Sequence, residues 1–104
     1  MAWLLRDGEV LASCEEPRHG HILRLPLGHP IGAQQLRGPF LGIAGPRGAD
    51  LCFLDATGRV LCVSSLRPFM PIGVLRPRGM VLCGERGAGQ RWNLSEGDRL
   101  VVRP

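Results

Sequence analysis

Apolar residues along this chain come in short runs, cut by Gly and Pro before any 3.6-residue period can establish itself. Runs of three or four residues at Ala2–Leu5, Val10–Ala12, Leu51–Leu54, Val60–Val63, Met80–Cys83 and Leu100–Val102 are strand-length. The strongest stretch is Ala49–Val63, ADLCFLDATGRVLCV, in which two apolar runs flank Asp55-Ala56-Thr57-Gly58. That spacing predicts a β-hairpin with Gly58 at positive φ. A three-residue loop closed by a G1 bulge sets Asp55 opposite Arg59, Leu54 opposite Val60, Phe53 opposite Leu61 and Cys52 opposite Cys62. A two-residue turn at Thr57-Gly58 shifts that register and breaks the cysteine pairing. In either case both faces are apolar, Leu51, Phe53, Leu61 and Val63 on one and Cys52, Leu54, Val60 and Cys62 on the other, which places the hairpin in the middle of a packed domain.

A second hairpin is predicted at the start of the sequence, where Asp7-Gly8 is the preferred type I′ dipeptide. It sets Arg6 opposite Glu9, as a cross-strand ion pair, and Leu5 opposite Val10. From Glu15 to Gly48 the pattern fails, because Pro17, Pro26, Pro30, Pro39 and Pro46 interrupt every run. Within it Gly32–Leu36 is the best candidate for a short helix, and Pro39–Ile43 for an edge strand. Leu66–Arg78 reads as an extended crossing segment with brief pairing at Gly73–Leu75. Beyond the Met80–Cys83 strand, Gly84–Gly89 is turn-forming and Gln90–Leu94 a helical turn with Trp92 and Leu94 inward. A tight turn at Ser95–Asp98 precedes a terminal strand. The fold class expected is mainly β: one small antiparallel sandwich or barrel-like domain over residues 1–104, with long Pro/Gly-rich loops and at most one or two short helical turns.

Composition refines this picture. With 104 residues, 44% of them hydrophobic, the chain can bury a core without a metal or disulfide framework, despite Gly 15 and Pro 9. All thirteen basic residues are Arg, with no Lys and no Tyr, a signature of coding bias in a GC-rich genome. The net charge is only +4 and the Arg residues are scattered from Arg6 to Arg103 without an aromatic platform, which argues against a nucleic-acid site. No signal peptide or membrane span is recognisable in the apolar stretch Met1–Leu5, so the expected location is cytoplasmic. The four cysteines include no C-x-x-C pair and are expected as free thiols; in the bulged register Cys52 and Cys62 are the alternative, a cross-strand disulfide.

Three pieces of the chain together resemble the domain of unknown function 192 family of small bacterial and archaeal proteins. They are the opening WLLRDGEVLAS, the central DLCFLDATGRVLCV with Asp50, Phe53, Asp55 and Gly58, and ERGAGQRWNLSEGDRL with Gly87, Trp92, Leu94, Gly97 and Asp98. The resemblance covers about half of the chain. It implies a mainly antiparallel β fold and supplies no reaction. Two departures point to a divergent member without the family's common site: Gly42-Ile43-Ala44-Gly45-Pro46-Arg47 stands where the family usually carries an Arg-Gly-Leu stretch and a polar segment ending in Met, and Cys83 stands at a usually acidic position.

Candidate chemistry is sparse. His19, His21 and His29 are the nearest approach to a metal constellation, since three imidazoles hold zinc with an open position; solvated loop histidines are the plainer reading. The Gly-rich GERGAGQ, residues 84–90, lacks the Lys-Ser/Thr and long helix of a phosphate loop and reads as a turn. Asp98 reads as turn chemistry, and Asp50 and Asp55 as hairpin ends within reach of Arg47 or Arg59. No nucleophile–base ordering is present, and no cofactor is implied. The first functional expectation is a non-enzymatic protein-binding or accessory module whose contact surface lies in the His29–Arg47 segment, with Phe40, Leu41, Arg47 and Asp50 as candidate surface residues. The second is a small-molecule or metal-binding protein or hydrolase with a cleft near Asp50, Arg47 and the His19–His29 region.

Overall fold

A computed structural model describes residues 2–18, 22–25, 32–76 and 78–103. Its strands are β1 (Ala2–Arg6), β2 (Glu9–Arg18), β3 (Ile22–Leu25), β4 (Ala33–Leu36), β5 (Phe40–Ala44), β6 (Ala49–Leu54), β7 (Val60–Leu66), β8 (Pro71–Val74), β9 (Val81–Gly84) and β10 (Leu100–Arg103), with one helical turn, α1 (Ala88–Arg91), before the last strand. A seven-stranded sheet runs β10-β1-β2-β4-β9-β6-β7, and a three-stranded sheet runs β3-β5-β8. The domain is mainly β, as expected. Two pairings, β2 with β4 and β3 with β5, are parallel.

The large sheet curls until its outer strands touch at one end. Val60 N donates to Asp98 O (2.7 Å), Leu100 N donates to Gly58 O (2.8 Å), and Arg59 and Arg99 form an antiparallel bridge. Pairing goes no further among the described residues, so the curl does not close into a barrel. Its concave face holds the first core, to which each of the seven strands contributes: Ala2 and Leu4, Cys14, Ala33, Cys52 and Leu54, Val60, Leu82, and Leu100. The small sheet covers the convex face. There Leu25, Phe40 and Ala44 meet Leu36, Ala49, Leu51, Leu66, Val81 and Cys83 in a second core. Strands buried on both faces are therefore confined to the middle of the large sheet, where β4 and β9 are buried throughout.

The central hairpin has the three-residue loop. Gly58 N donates to Asp55 O (3.1 Å), Asp55 N donates to Arg59 O (3.0 Å), and Gly58 sits at φ 88°, where a side chain would be strained. Leu54 faces Val60 as expected, but a bulge follows, so that Phe53 faces Cys62 and Cys52 faces Val63. This extra residue turns Cys62 outward while Cys52 stays in the core. The expected Cys52–Cys62 alignment is thereby corrected, and all four cysteines are free. The hairpin is central only through β6; β7 is an edge strand of the large sheet with Cys62 and Val63 exposed.

The first hairpin keeps its expected register, Arg6 with Glu9 and Leu5 with Val10, through Asp7 at φ 51° and Gly8 at φ 81°. Arg6 pairs elsewhere, however, with Asp98 (3.5 Å) rather than Glu9. Gly32–Leu36, expected as a helix, is the strand β4, because β2 and β9 bond to both of its edges and tertiary pairing overrides the helix preference of Ala, Gln and Leu. Pro39–Ile43 contains a strand as expected, yet β5 is the middle of its sheet and not an edge.

Candidate functional site

Asp50 lies on β6 beside Gly84 of β9 and Ser65 of β7. Its side chain is on the concave side with Cys52 and Leu54, since alternate strand residues share a face, and Asp50 is only 6% exposed. A buried carboxylate needs partners. Ser65 Oγ donates to its Oδ1 (2.8 Å), and Gly87 N (3.1 Å) and Gly89 N (3.0 Å) both donate to Oδ2. Asp50 thus satisfies N–H groups at the start of α1. The close approach explains Gly89: a Cβ there would lie 2.9 Å from Val63 Cγ1 and 3.3 Å from Asp50 Oδ2.

The far end of α1 is held by Arg6, whose Nη1 donates to Trp92 O (2.9 Å) and Asn93 O (2.6 Å). Asp98 Oδ2 in turn accepts from Ser95 N (2.9 Å). Trp92 and Leu94 pack on the first core as expected, and the helical turn closes one end of the curled sheet. A shallow cavity of about 310 Å³ beside it is lined by Asp50, Val63, Ser65, Gly89, Gln90, Asn93 and Leu94. Its one buried charge is already hydrogen-bonded within the protein, so this junction is a fold element. The GERGAGQ segment, expected as a turn throughout, is a turn only at residues 85–87, since Gly84 ends β9 and α1 begins at Ala88; its Gly87 and Gly89 N–H groups meet an internal carboxylate.

Asp55 behaves similarly at the surface. Its Oδ1 accepts from Thr57 Oγ1 (2.7 Å), Thr57 N (2.8 Å) and Arg59 N (3.0 Å), and these bonds, the Thr57 hydroxyl foremost, hold its carboxyl below the usual aspartate range. Asp55 also borders a cleft of about 660 Å³ at the seam where the large sheet stays open, with Arg37, Leu54, Met80, Leu100 and Val102 among its walls.

Of the residues singled out from sequence, Asp50 and Arg47 do not form one cleft: Asp50 is buried against α1, whereas Arg47 is exposed in the turn between β5 and β6. The ion pairs among the described residues are Arg6 with Asp98 and Arg91 with Glu85. His19, His21 and His29 lie outside the described residues, among which no three metal-ligating side chains gather. Phe40 is not a surface residue; at 3% exposure it belongs to the second core. Leu41, its neighbour, is 53% exposed.

Leu41 belongs to an outer face that sequence reasoning caught only in part. On β5, Leu41 and Ile43 (48% exposed) alternate outward while Phe40 and Ala44 point to the core. Register places Arg24 of β3 and Pro71 of β8 beside Ile43, and Gly73 beside Leu41. Phe69, 66% exposed, closes one end of this face; its N–H donates to Ala44 O (3.0 Å) and Gly45 O (3.3 Å). Between Ile43 and Phe69 lies a cavity of about 360 Å³, lined also by Leu23, Arg24, Ala44, Gly45 and Pro46. The alternation Phe-Leu-Gly-Ile-Ala was the available signal, since period-two patterning predicts one outward apolar row.

No protein-family model matches this chain, and no curated protein matches it. Two solved structures share its fold. One is a "putative transcription regulator" from Sinorhizobium meliloti 1021, at 17% identity and TM-score 0.64, covering 97% of this chain and 91% of that one. The other is a protein of unknown function from Novosphingobium aromaticivorans DSM 12444, at 14% identity and TM-score 0.59, covering 96% and 82%. Likeness at these identities is one of fold. No helix among the described residues is long and apolar enough to cross a membrane.

The thiols give a clean probe of the two cores. Burial pushes Cys52 and Cys83 from an ordinary 9.0 up to about 12, with smaller contributions from Cys62 and Asp98 on Cys52 and from Asp50 on Cys83. A thiol whose folded pKa is raised contributes stability that is fully present below its unfolded value and lost as pH rises through the folded one. With no Lys and no Tyr in the chain, no amine or phenol side chain competes with Cys52 and Cys83 in that window. From neutral pH upward, melting temperature is therefore expected to stay level to about pH 9 and to fall steadily from there to pH 12. A Cys52→Ala, Cys83→Ala variant should be less stable at pH 8 but show a much shallower alkaline fall. An equally steep fall in that variant would refute the assignment.

Proposed function

We propose that this domain is a non-enzymatic protein-binding module that meets its partner through the outer face of the three-stranded sheet. The observation that carries this reading is the outward apolar row of Leu41 and Ile43 on β5, continued by Phe69 across the cavity that Ile43 and Phe69 both line. Isolated exposed apolar residues are ordinary, whereas a continuous row beside a concavity is the usual form of a contact surface. The polar chemistry elsewhere supports the same reading, because Asp50, Asp55 and Asp98 all accept hydrogen bonds from their own fold.

Kinship with the domain of unknown function 192 family fits this proposal. Residues from its three motif regions meet around α1: Asp50 with Gly87 N and Gly89 N, and Arg6 with Trp92 O and Asp98. Such mutual contacts give a physical reason for three separated motifs to occur together.

The test is an affinity pull-down with wild type and with a Leu41→Ser, Ile43→Ser, Phe69→Asn variant. Wild type is expected to enrich a dominant partner that the variant loses at unchanged melting temperature. Equal recovery by both proteins would remove the surface from consideration.

A further inference from the structure

The charges around the apolar face are one-sided. From Pro17 to Gly84 the chain contains only two carboxylates, Asp50 and Asp55, and both accept hydrogen bonds from neighbouring residues. Every strand of the small sheet and every connection to it falls within that stretch. Arg24 lies on the outer face itself, in register with Ile43. Ala49 pairs with Leu66, so the flanking Arg47 and Arg67, both exposed, emerge together at the end of the face that Phe69 closes. An apolar centre inside a cationic rim is complementary to an acidic partner with an apolar anchor.

Phe69 adds a second observation. It sits at φ 61°, a region that bulky side chains rarely adopt because of backbone strain. The residue is two-thirds exposed, so burial within this chain does little to offset that strain. The bonds from Phe69 N to Ala44 O and Gly45 O, and from Ala44 N to Met70 O (2.9 Å), fix the turn against β5. The ring is thus held out over the 360 Å³ cavity, which is large enough for an apolar side chain. A seat for one side chain suits a peptide better than a bilayer, which needs no pocket. A single exposed aromatic is also too little for a nucleic-acid stacking platform.

Resting on the protein-binding reading, we infer that this face takes an extended acidic segment of a partner protein, with an apolar side chain between Ile43 and Phe69 and carboxylates at Arg24, Arg47 and Arg67. The experiment is a selection of random displayed peptides on the immobilised domain, followed by titration of the fluorescein-labelled enriched peptide. Enriched sequences are expected to flank Leu, Ile or Phe with Asp or Glu. Arg24→Glu and Phe69→Asn should each weaken that peptide about tenfold or more, and salt should weaken it further. Asn tolerates positive φ, so Phe69→Asn should not lower the melting temperature.

Neutral or basic enriched sequences, no enrichment, or indifference to Arg24→Glu would overturn the inference. Sedimentation with phosphatidylserine vesicles that Phe69→Asn abolishes, without peptide enrichment, would assign the face to anionic lipid instead and likewise overturn it. The pull-down separates the two claims. A partner lost with the triple variant, alongside neutral enriched peptides, defeats only the acidic segment; a partner retained by that variant defeats the contact surface itself.

Discussion

Asp50→Ala is expected to lower the free energy of unfolding by about 4 kcal/mol, a large fraction of the roughly 5–15 kcal/mol typical of a domain. The substitution leaves Ser65 Oγ, Gly87 N and Gly89 N without their acceptor. Hydrogen bonds to a charged group contribute about 1.5–3 kcal/mol each, though three on one carboxylate do not add fully. Gly89 is buried, so water cannot readily replace the lost acceptor. Asp50→Asn should cost much less, about 1–2 kcal/mol, because its amide oxygen can face the two N–H groups while its NH₂ donates to Ser65 Oγ. Urea unfolding measures both, and amide exchange at Gly87 and Gly89 should accelerate in the Ala variant alone. A cost below about 1 kcal/mol for Asp50→Ala would contradict the role derived for it.

That role could be read from sequence only as far as local chemistry reaches. The Asp7-Gly8 turn and the Gly58 bulge were legible because two or three residues determine each turn and its nearest pair. The second bulge, which turns Cys62 outward, depends on how β7 lies against β6 and leaves no turn signal of its own. Likewise Asp50 looks like a hairpin end until Gly87 and Gly89, thirty-seven and thirty-nine residues away, supply its donors.

The segment from residue 15 to 48 hid most of the fold for one topological reason. The chain passes from the large sheet (β2) to the small (β3), back to the large (β4) and again to the small (β5). Every passage needs a break, and parallel pairing of β2 with β4 and of β3 with β5 requires crossovers rather than tight turns. Pro and Gly at those breaks mask strands of only four or five residues. Burial of β4 on both faces also removes the alternation that would have marked it.

Phe40→Ala and Leu41→Ser, one residue apart, are expected to separate stability from binding. Phe40 is packed with Leu25, Leu36, Leu66 and Val81 between the sheets, and deleting a buried ring costs about 3–5 kcal/mol through lost transfer energy and the cavity left behind. Leu41 points outward from the same strand, so Leu41→Ser should change stability by no more than about 0.5 kcal/mol. Urea unfolding and partner recovery on the two variants check this together. Loss of recovery in Phe40→Ala alone, with its lowered unfolding midpoint, would report damage to the scaffold that carries the face. Loss in Leu41→Ser at an unchanged midpoint would place the contact on the outward row of β5. A stable Phe40→Ala variant would mean that the small sheet is not held to the large one by the second core, and the rigid platform on which the docking surface depends would fall with it.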